Sequence, residues 1–433
     1  MSLAAASLIP LAGAWAQTTQ PQPAKPQPAP AQTTAQPPVT APARDPIAPL
    51  PDAAVPPPPP VPEAPPPLWM PGDAQALLTV IPGLAAEGLD PRDYDPAALL
   101  ATMRSGDPMA MSKAATDLYR QIASDIAQGH VRGADRNEWF IKDDKFGAEE
   151  QLAYLRRALE EHNLIGSLNA LYPTHPQYLS LKAALARADK ADTKTVNRIR
   201  LNMDRWRWLP KDLGQKYIIV NVPAFHATLV ENGVTRWKKR AIAGAVKTKT
   251  PQISALATGV VLNPWWEVPP SIAREVAGKK GYVAVKGKDG KAQRWRQPPG
   301  PSNALGKMKF VMPNSEAIYL HDTNARSRFN SEVRALSHGC VRTQDIVELG
   351  KMLLADDNGE WTNERVDEVL ASDKSLTANF VKPFPVYIVY FSAAALNDGT
   401  IVKYSDLYNR DNKVIAALLD GPKAAPSLQT ATR

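Results

Sequence analysis

The chain has 433 residues, 44% of them hydrophobic, which allows two or three domains with a sizeable core and excludes a wholly disordered protein. A net charge of +8 and a pI near 9.3 call for an anionic partner, and a carboxylate-bearing polymer or a nucleic acid would each satisfy that charge. The single cysteine excludes an intramolecular disulfide, so in an oxidising compartment it is a free thiol that catalysis explains better than packing does.

Residues 1–16 form an apolar run ending in Ala14-Trp15-Ala16 ahead of Gln17. This is the pattern of a secretory signal, although it lacks a basic leading region, so a retained membrane anchor is the alternative. No other run approaches the ~18 apolar residues of a membrane span. The body of the chain is therefore expected to be exported. Residues 17–68 hold 20 of the 42 prolines and read as an extended spacer. At ~3.1 Å per residue such a spacer could reach on the order of 150 Å, and a disordered tail without a mechanical role is the plainer reading.

Residues 69–190 read mostly as helix. Ala115, Leu118, Tyr119, Ile122, Ala123 and Ile126 share one face, with Ser112 as the expected N-cap and Gly129 as the stop. Leu152, Leu155, Ala158 and Leu159 form a second such face. His130, His162 and His175 are isolated and are expected at the surface or at helix ends.

From 191 to 420 the pattern turns to strands, at Tyr217–Val222, His226–Val230, Thr235–Ala243, Val260–Leu262, Ala317–Leu320, Val386–Phe391 and Thr400–Lys403. Asn232-Gly233 marks a hairpin turn. His226 lies within a strand and is expected to be structural. The predicted fold class is α+β, a mainly helical domain followed by a predominantly antiparallel β-sandwich, with a tail at 421–433. Between Lys279 and Arg296 stand seven Lys or Arg residues and one acid, Asp289, which reads as a basic hairpin.

The chemistry concentrates between Tyr319 and Arg342. Cys340 lies two residues after His338 and nineteen after His321, so a thiol and two imidazoles share one segment. A thiolate is the reactive form and an imidazole can take its proton, which makes this the composition of a cysteine nucleophile with a histidine base. Strand alternation puts Ile318 and Leu320 toward a core and Tyr319 and His321 together on the other side. Thr343 is the expected N-cap of a helix with inner face Ile346, Leu349, Gly350 and Leu353. Cys340 would then sit just before a helix N-terminus that favours a thiolate, with the Gly339 and Cys340 amides as oxyanion donors.

A histidine, a fifteen-residue gap and then Ser-His-Gly-Cys resembles the signature of the L,D-transpeptidases, the YkuD-type cell-wall cross-linking enzymes. The blocks Asn-Met-Asp-Arg-Trp-Arg-Trp-Leu-Pro (202–210), Asn-Pro-Trp-Trp-Glu-Val-Pro (263–269), Pro-Gly-Pro-Ser-Asn-Ala-Leu-Gly (299–306) and Lys-Phe (309–310) resemble the large Gram-negative branch, which carries a helical scaffold domain. That branch often has a separate peptidoglycan-binding module before the catalytic domain, and here Tyr178–Ala188 runs almost directly into Thr195 and leaves no room for one.

The resemblance implies catalysis by Cys340 with His321 as base, His338 as a shaping and substrate-side residue, and a lid over the site at about 271–298. It also implies that Asp322 orients His321 through its main-chain carbonyl, and the residues alone leave its carboxylate as an alternative. Tyr319 and Ser337 are candidate substrate contacts. Arg342 replaces the Asn common in the family, and its forked donors suit a substrate carboxylate, with an internal salt bridge as the alternative. The expected partners are peptidoglycan stem peptides and not nucleic acid. No cofactor or metal is implied, and a carbapenem is the expected covalent inhibitor. A carboxypeptidase, an enzyme attaching an outer-membrane protein to the wall and a non-catalytic wall-binding scaffold are the alternatives. A papain-like protease is disfavoured because its cysteine precedes its histidine in the chain.

Overall fold

The computed structural model describes residues 67–142, 146–396 and 398–421. The signal-like segment 1–16, almost all of the proline-rich stretch and almost all of the tail lie outside the described residues.

The helical part comprises α1 (Pro71–Val80), α2 (Ala97–Ser105), α3 (Pro108–Gln128), α4 (Ala148–Glu160), α5 (Leu164–Leu171), α6 (Pro176–Arg187) and α7 (Thr193–Arg207). Helix α3 is central, and it buries the expected face from Ala115 to Ile126 among residues of α1, α4 and α5. Its cap is Asp107, whose carboxylate accepts the Met109 and Ala110 N–H groups, and not Ser112. Pro108 needs no N–H partner and pre-sets a helical φ, so it starts the helix a turn earlier. Ser112 lies buried inside α3, where its hydroxyl oxygen accepts the Trp69 N–H at 3.0 Å. Gly129, at φ 85°, ends the helix as expected.

His130 does sit at that helix end, but it is not at the surface. It is 2% exposed, its Nδ1 is 2.8 Å from Asp125 Oδ2, and its backbone N–H donates to Asp204 of α7 at 2.6 Å. His162 is exposed. His175 caps α6 by accepting the Gln177 N–H and stacks 4.0 Å from Trp206, and burial pushes its pKa down to about 4. Among the described residues no helix is long and apolar enough to cross a membrane.

The β part contains β1 (Lys216–Asn221), β2 (His226–Glu231), β3 (Val234–Gly244), β4 (Ile253–Leu262), β5 (Trp266–Glu267), β6 (Val283–Lys286) and β7 (Ala292–Gln297). It continues through β8 (Met308–Val311), β9 (Leu320–His321), β10 (Ala335–Ser337), β11 (Val341–Thr343), β12 (Leu376–Val389), β13 (Ala393–Ala395) and β14 (Ile401–Lys403). Its helices are α8 (Ala273–Val276), α9 (Ile346–Ala355), α10 (Asn363–Ala371) and α11 (Asp411–Leu419). Nine strands form one sheet in the order β10-β3-β11-β9-β8-β4-β12-β1-β2, and β2 pairs again with β3. The β-rich layers are thus one sheet whose ends meet. Parallel pairs β1–β12, β9–β11 and β3–β10 stand among antiparallel neighbours. At the β2–β3 turn, Asn232 and Gly233 have φ of 50° and 76°, the left-handed pair that a two-residue hairpin turn requires.

Leu320, Val341, Met308, Phe310 and Val386 fill the core inside this sheet, and α9 closes it with the expected face Ile346, Leu349, Gly350 and Leu353. A Cβ on Gly350 would lie 2.2 Å from Met308 Sδ, so the end of the Met308 side chain fills the space that glycine leaves on α9. Helix α7 joins the two halves, since Ile199, Met203 and Trp206 pack with Tyr387, Val389 and Phe391. The 279–296 segment is the expected hairpin, β6–β7, and β5 adds a third strand to it. Val268, Ile272 and Val276 pack beneath it with Trp266, Tyr282 and Trp295.

Candidate active site

Strands β8, β9 and β11 lie side by side, and their register pairs Lys309 with His321 and His321 with Arg342. Paired residues project from the same face, so these three side chains form a row across the sheet. Tyr319 and Cys340 stand two residues back along their chains, and the Val341 N–H donates to the Tyr319 carbonyl at 3.0 Å. Cys340 and His321 are therefore diagonal neighbours on one face. Of the expected 317–320 strand only Leu320 joins the ladder, with His321 beyond it, because Ala317 has φ 52° and turns the chain just before. The sidedness is as expected. Ile318 and Leu320 enter the core, while the Tyr319 and His321 rings meet at 5.6 Å.

His321 is 4% exposed, and its Nδ1 lies 2.5 Å from the Asp322 carbonyl oxygen. A carbonyl can only accept, so Nδ1 carries the proton and Nε2 keeps a free lone pair. Burial first, then the charges of Arg342 and Lys309, push the imidazole pKa down to about 3. Cys340 is half-buried, with Sγ 3.8 Å from the Ala317 carbonyl oxygen. Burial pushes its thiol pKa up, and Tyr319, Lys309 and Arg342 oppose that without reversing it. The resting pair is a neutral thiol and a neutral imidazole, which suits proton removal during attack more than a preformed ion pair.

Residues 215–376 match the family described as the L,D-transpeptidase catalytic domain, YkuD, and residues 63–185 match the family described as the Scaffold domain. The chain thus carries a YkuD L,D-transpeptidase catalytic domain preceded by a Scaffold domain. It is 31% identical over 249 residues to a Haemophilus influenzae protein described as "Putative L,D-transpeptidase", covering 52% of this chain. The match spans 50% of that relative, about half its length. A solved L,D-transpeptidase from Mycobacterium smegmatis is 11% identical, covering 40% of this chain and 58% of that one at a TM-score of 0.22. The catalytic domain from an E. faecium L,D-transpeptidase acylated by ertapenem is 13% identical, covering 41% and 99% at a TM-score of 0.23.

Within this YkuD domain the Asp322 carboxylate does not face His321. It accepts the Lys307 N–H at 2.9 Å and pairs with Arg326 at 3.0 Å, which holds the strand end that carries the orienting carbonyl. Gly306 is required beside it, because at φ 61° an added Cβ would lie 2.4 Å from Asp322 Oδ2.

Thr343 does not cap α9. It belongs to β11, and the cap position is Asp345, at φ 53°. Pairing of β11 with β9 and β3 keeps the chain extended past Cys340, so the thiol does not stand at the helix N-terminus and gains no direct help from its dipole. Ser337, expected as a substrate contact, is 3% exposed, and it holds the turn. Its hydroxyl donates to the Cys340 carbonyl at 2.5 Å and accepts the Gly339 N–H at 3.1 Å. The Gly339 amide, expected as an oxyanion donor, is thus already engaged.

His338 is exposed. Arg342 makes no internal salt bridge among the described residues, and its Nε has no hydrogen-bond partner. Lys309 and Trp266 were not singled out from the sequence. Lys309 Nζ lies 3.9 Å from the centre of the Tyr319 ring, and the Tyr319 phenol engages both Cys340 and the Trp266 indole. The only sequence signals for them were the Lys-Phe and Trp-Trp blocks, which do not show which strand lies alongside. Among the described residues no group of three or more His, Cys, Asp or Glu side chains could hold a metal ion.

Proposed function

We propose that the protein is a periplasmic peptidoglycan L,D-transpeptidase that cross-links stem peptides through a Cys340 acyl-enzyme. The observation that carries this reading is the buried neutral His321, its Nδ1 proton held by the Asp322 carbonyl, on the same face as the half-buried Cys340 thiol. Nε2 takes the thiol proton as Sγ bonds to the carbonyl carbon of the third stem residue. The bond to the terminal D-amino acid breaks, and its nitrogen leaves with the proton returned by His321. An amine of a neighbouring stem then attacks the thioester and gives a proton to His321, and the sulfur recovers a proton on release. Arg342, a forked cation without an acidic partner, is placed to take a stem carboxylate, and the β5–β7 sheet touches Tyr319 through Trp266 as a lid would.

The catalytic unit in this reading runs over 191–420, because β12 and α7 complete its core. Incubation with purified muropeptides and mass spectrometry of the products tests the reading. Dimers with loss of a D-amino acid are expected. Shortened monomers alone would mean hydrolysis by an L,D-carboxypeptidase, and unchanged stems would mean a non-catalytic wall-binding protein.

A further inference from the structure

We infer that the helical part of the chain positions the nucleophile, acting through an arm at 137–140, with Glu138, Arg410 and Thr250 as positioning residues. The inference rests on the reading of Cys340 as the reacting thiol. The arm leaves the helices and pairs with the loop after β3. Trp139 bridges Gln252 in parallel, and the Phe140 N–H donates to the Gln252 carbonyl at 2.8 Å. The Gln252 side-chain amide donates to the Asn137 carbonyl at 3.0 Å. Asn137 and Glu138 have φ of 52° and 58°, a conformation unfavourable to residues other than glycine, so the partners hold the arm in shape.

Glu138 turns its carboxylate to Arg410, whose Nε donates at 3.1 Å, and Lys249 Nζ lies 3.7 Å from the other oxygen. Arg410 is fully buried, with its guanidinium 5.0 Å and 4.9 Å from the Tyr390 and Tyr408 ring centres. Its Nη2 donates to the Thr250 carbonyl at 3.1 Å. Thr250, also fully buried, donates its hydroxyl to the Gly339 carbonyl at 2.7 Å and accepts the Gly244 N–H at 2.8 Å. The same loop holds the other end of the turn, since the Ala245 N–H and the Thr248 hydroxyl donate to the Ser337 carbonyl at 2.8 and 2.9 Å.

Both carbonyls that define the turn before Cys340 are thus held by one loop. That loop is fastened by a buried cation whose ion-pair partner among the described residues is Glu138. A buried guanidinium that loses its carboxylate must move or find water. Because it also holds the Thr250 carbonyl, the displacement is passed to Gly339 and from there to the nucleophile.

The test compares Glu138→Gln, Thr250→Val and Thr250→Ser with the wild type by thermal midpoint, rate of acylation by a carbapenem and pH profile of Cys340 alkylation by iodoacetamide. Glu138→Gln and Thr250→Val should fold yet acylate about 10- to 100-fold more slowly, with unchanged initial binding of the inhibitor and a shifted alkylation profile. Thr250→Ser keeps the hydroxyl and should restore both. A folded Glu138→Gln with the wild-type rate and profile would overturn the inference, as would a Thr250→Ser as slow as Thr250→Val. If Glu138→Gln does not fold, the two Thr250 variants decide. Alkylation reads the thiol whatever the substrate is, so a wild type inert toward muropeptides whose profile still depends on Glu138 would sink the proposed function and leave the positioning role standing.

Discussion

His321 Nδ1 donates to the Asp322 carbonyl oxygen at 2.5 Å, and this one bond decides which nitrogen keeps a free lone pair. With the proton on Nδ1, Nε2 is the nitrogen that acts as base in the proposed mechanism. Burial, helped by the two cations that flank the ring in the strand register, Arg342 and Lys309, keeps it unprotonated.

Cys340→Ala should abolish turnover and leave the fold intact, since the chain has no second thiol. Mass spectrometry after carbapenem treatment should place the adduct on Cys340 in the wild type and find none in the variant. An adduct on any other side chain would end the assignment.

His321→Ala should slow acylation by ~10²–10⁴-fold, the usual worth of a general base. His338→Ala should cost less, because that ring is exposed at the edge of the turn. Single-turnover acylation of both variants with one donor checks the order, and a larger loss from His338→Ala would exchange the two roles.

The depressed pKa of His321 also predicts how stability depends on pH. The group is neutral in both folded and unfolded chains above its ordinary value of 6.5, so its folded-state environment costs nothing there. As pH falls from 6.5 toward about 3, the unfolded chain takes up a proton that the folded site refuses, and stability is lost at ~1.4 kcal/mol per pH unit within that window. Urea unfolding between pH 7 and 4 should show a shallower decline for His321→Asn than for the wild type. His175, also depressed, contributes equally to both proteins and cancels in the comparison.

Gly306→Ala should lower the thermal midpoint and kcat together, with little change in KM. The added methyl meets the Asp322 carboxylate at 2.4 Å in a left-handed backbone, a strain of about 1–3 kcal/mol. Arg326→Gln should cost less than about 1 kcal/mol, because its guanidinium is 60% exposed. Calorimetry and steady-state kinetics on the two variants separate these sizes, and equal losses would mean that the carboxylate clamp acts through Arg326.

Replacing Lys279, Lys280, Lys286, Lys288 and Lys291 with Gln should weaken co-sedimentation with sacculi at low salt and flatten its salt dependence. The 279–296 segment carries seven basic residues and one acid, a formal +6, and exposed charge is screened over ~8 Å at physiological salt. Acylation by a small neutral inhibitor should change much less. Unaltered sacculus binding would move the wall-binding surface away from this hairpin.

Local pattern in the sequence by itself determined the helical face from Ala115 to Ile126, the Asn232-Gly233 turn, the sidedness of Ile318 to His321 and the inner face of α9. Each of these depends on residues within a few positions of one another, where helical or strand period decides which side meets the core. Tertiary structure alone decided that Thr343 is strand and not cap, because β11 is drawn out by partners more than twenty residues before it. It also decided that Asp322 offers its carbonyl to His321 and its carboxylate to Lys307 and Arg326, that Ser337 is spent inside the turn, and that His130 is buried against α7. The row Lys309, His321, Arg342 and the path from Glu138 to Gly339 depend on strand register and domain packing. Both join residues far apart in the chain, and no local period records which of them will meet.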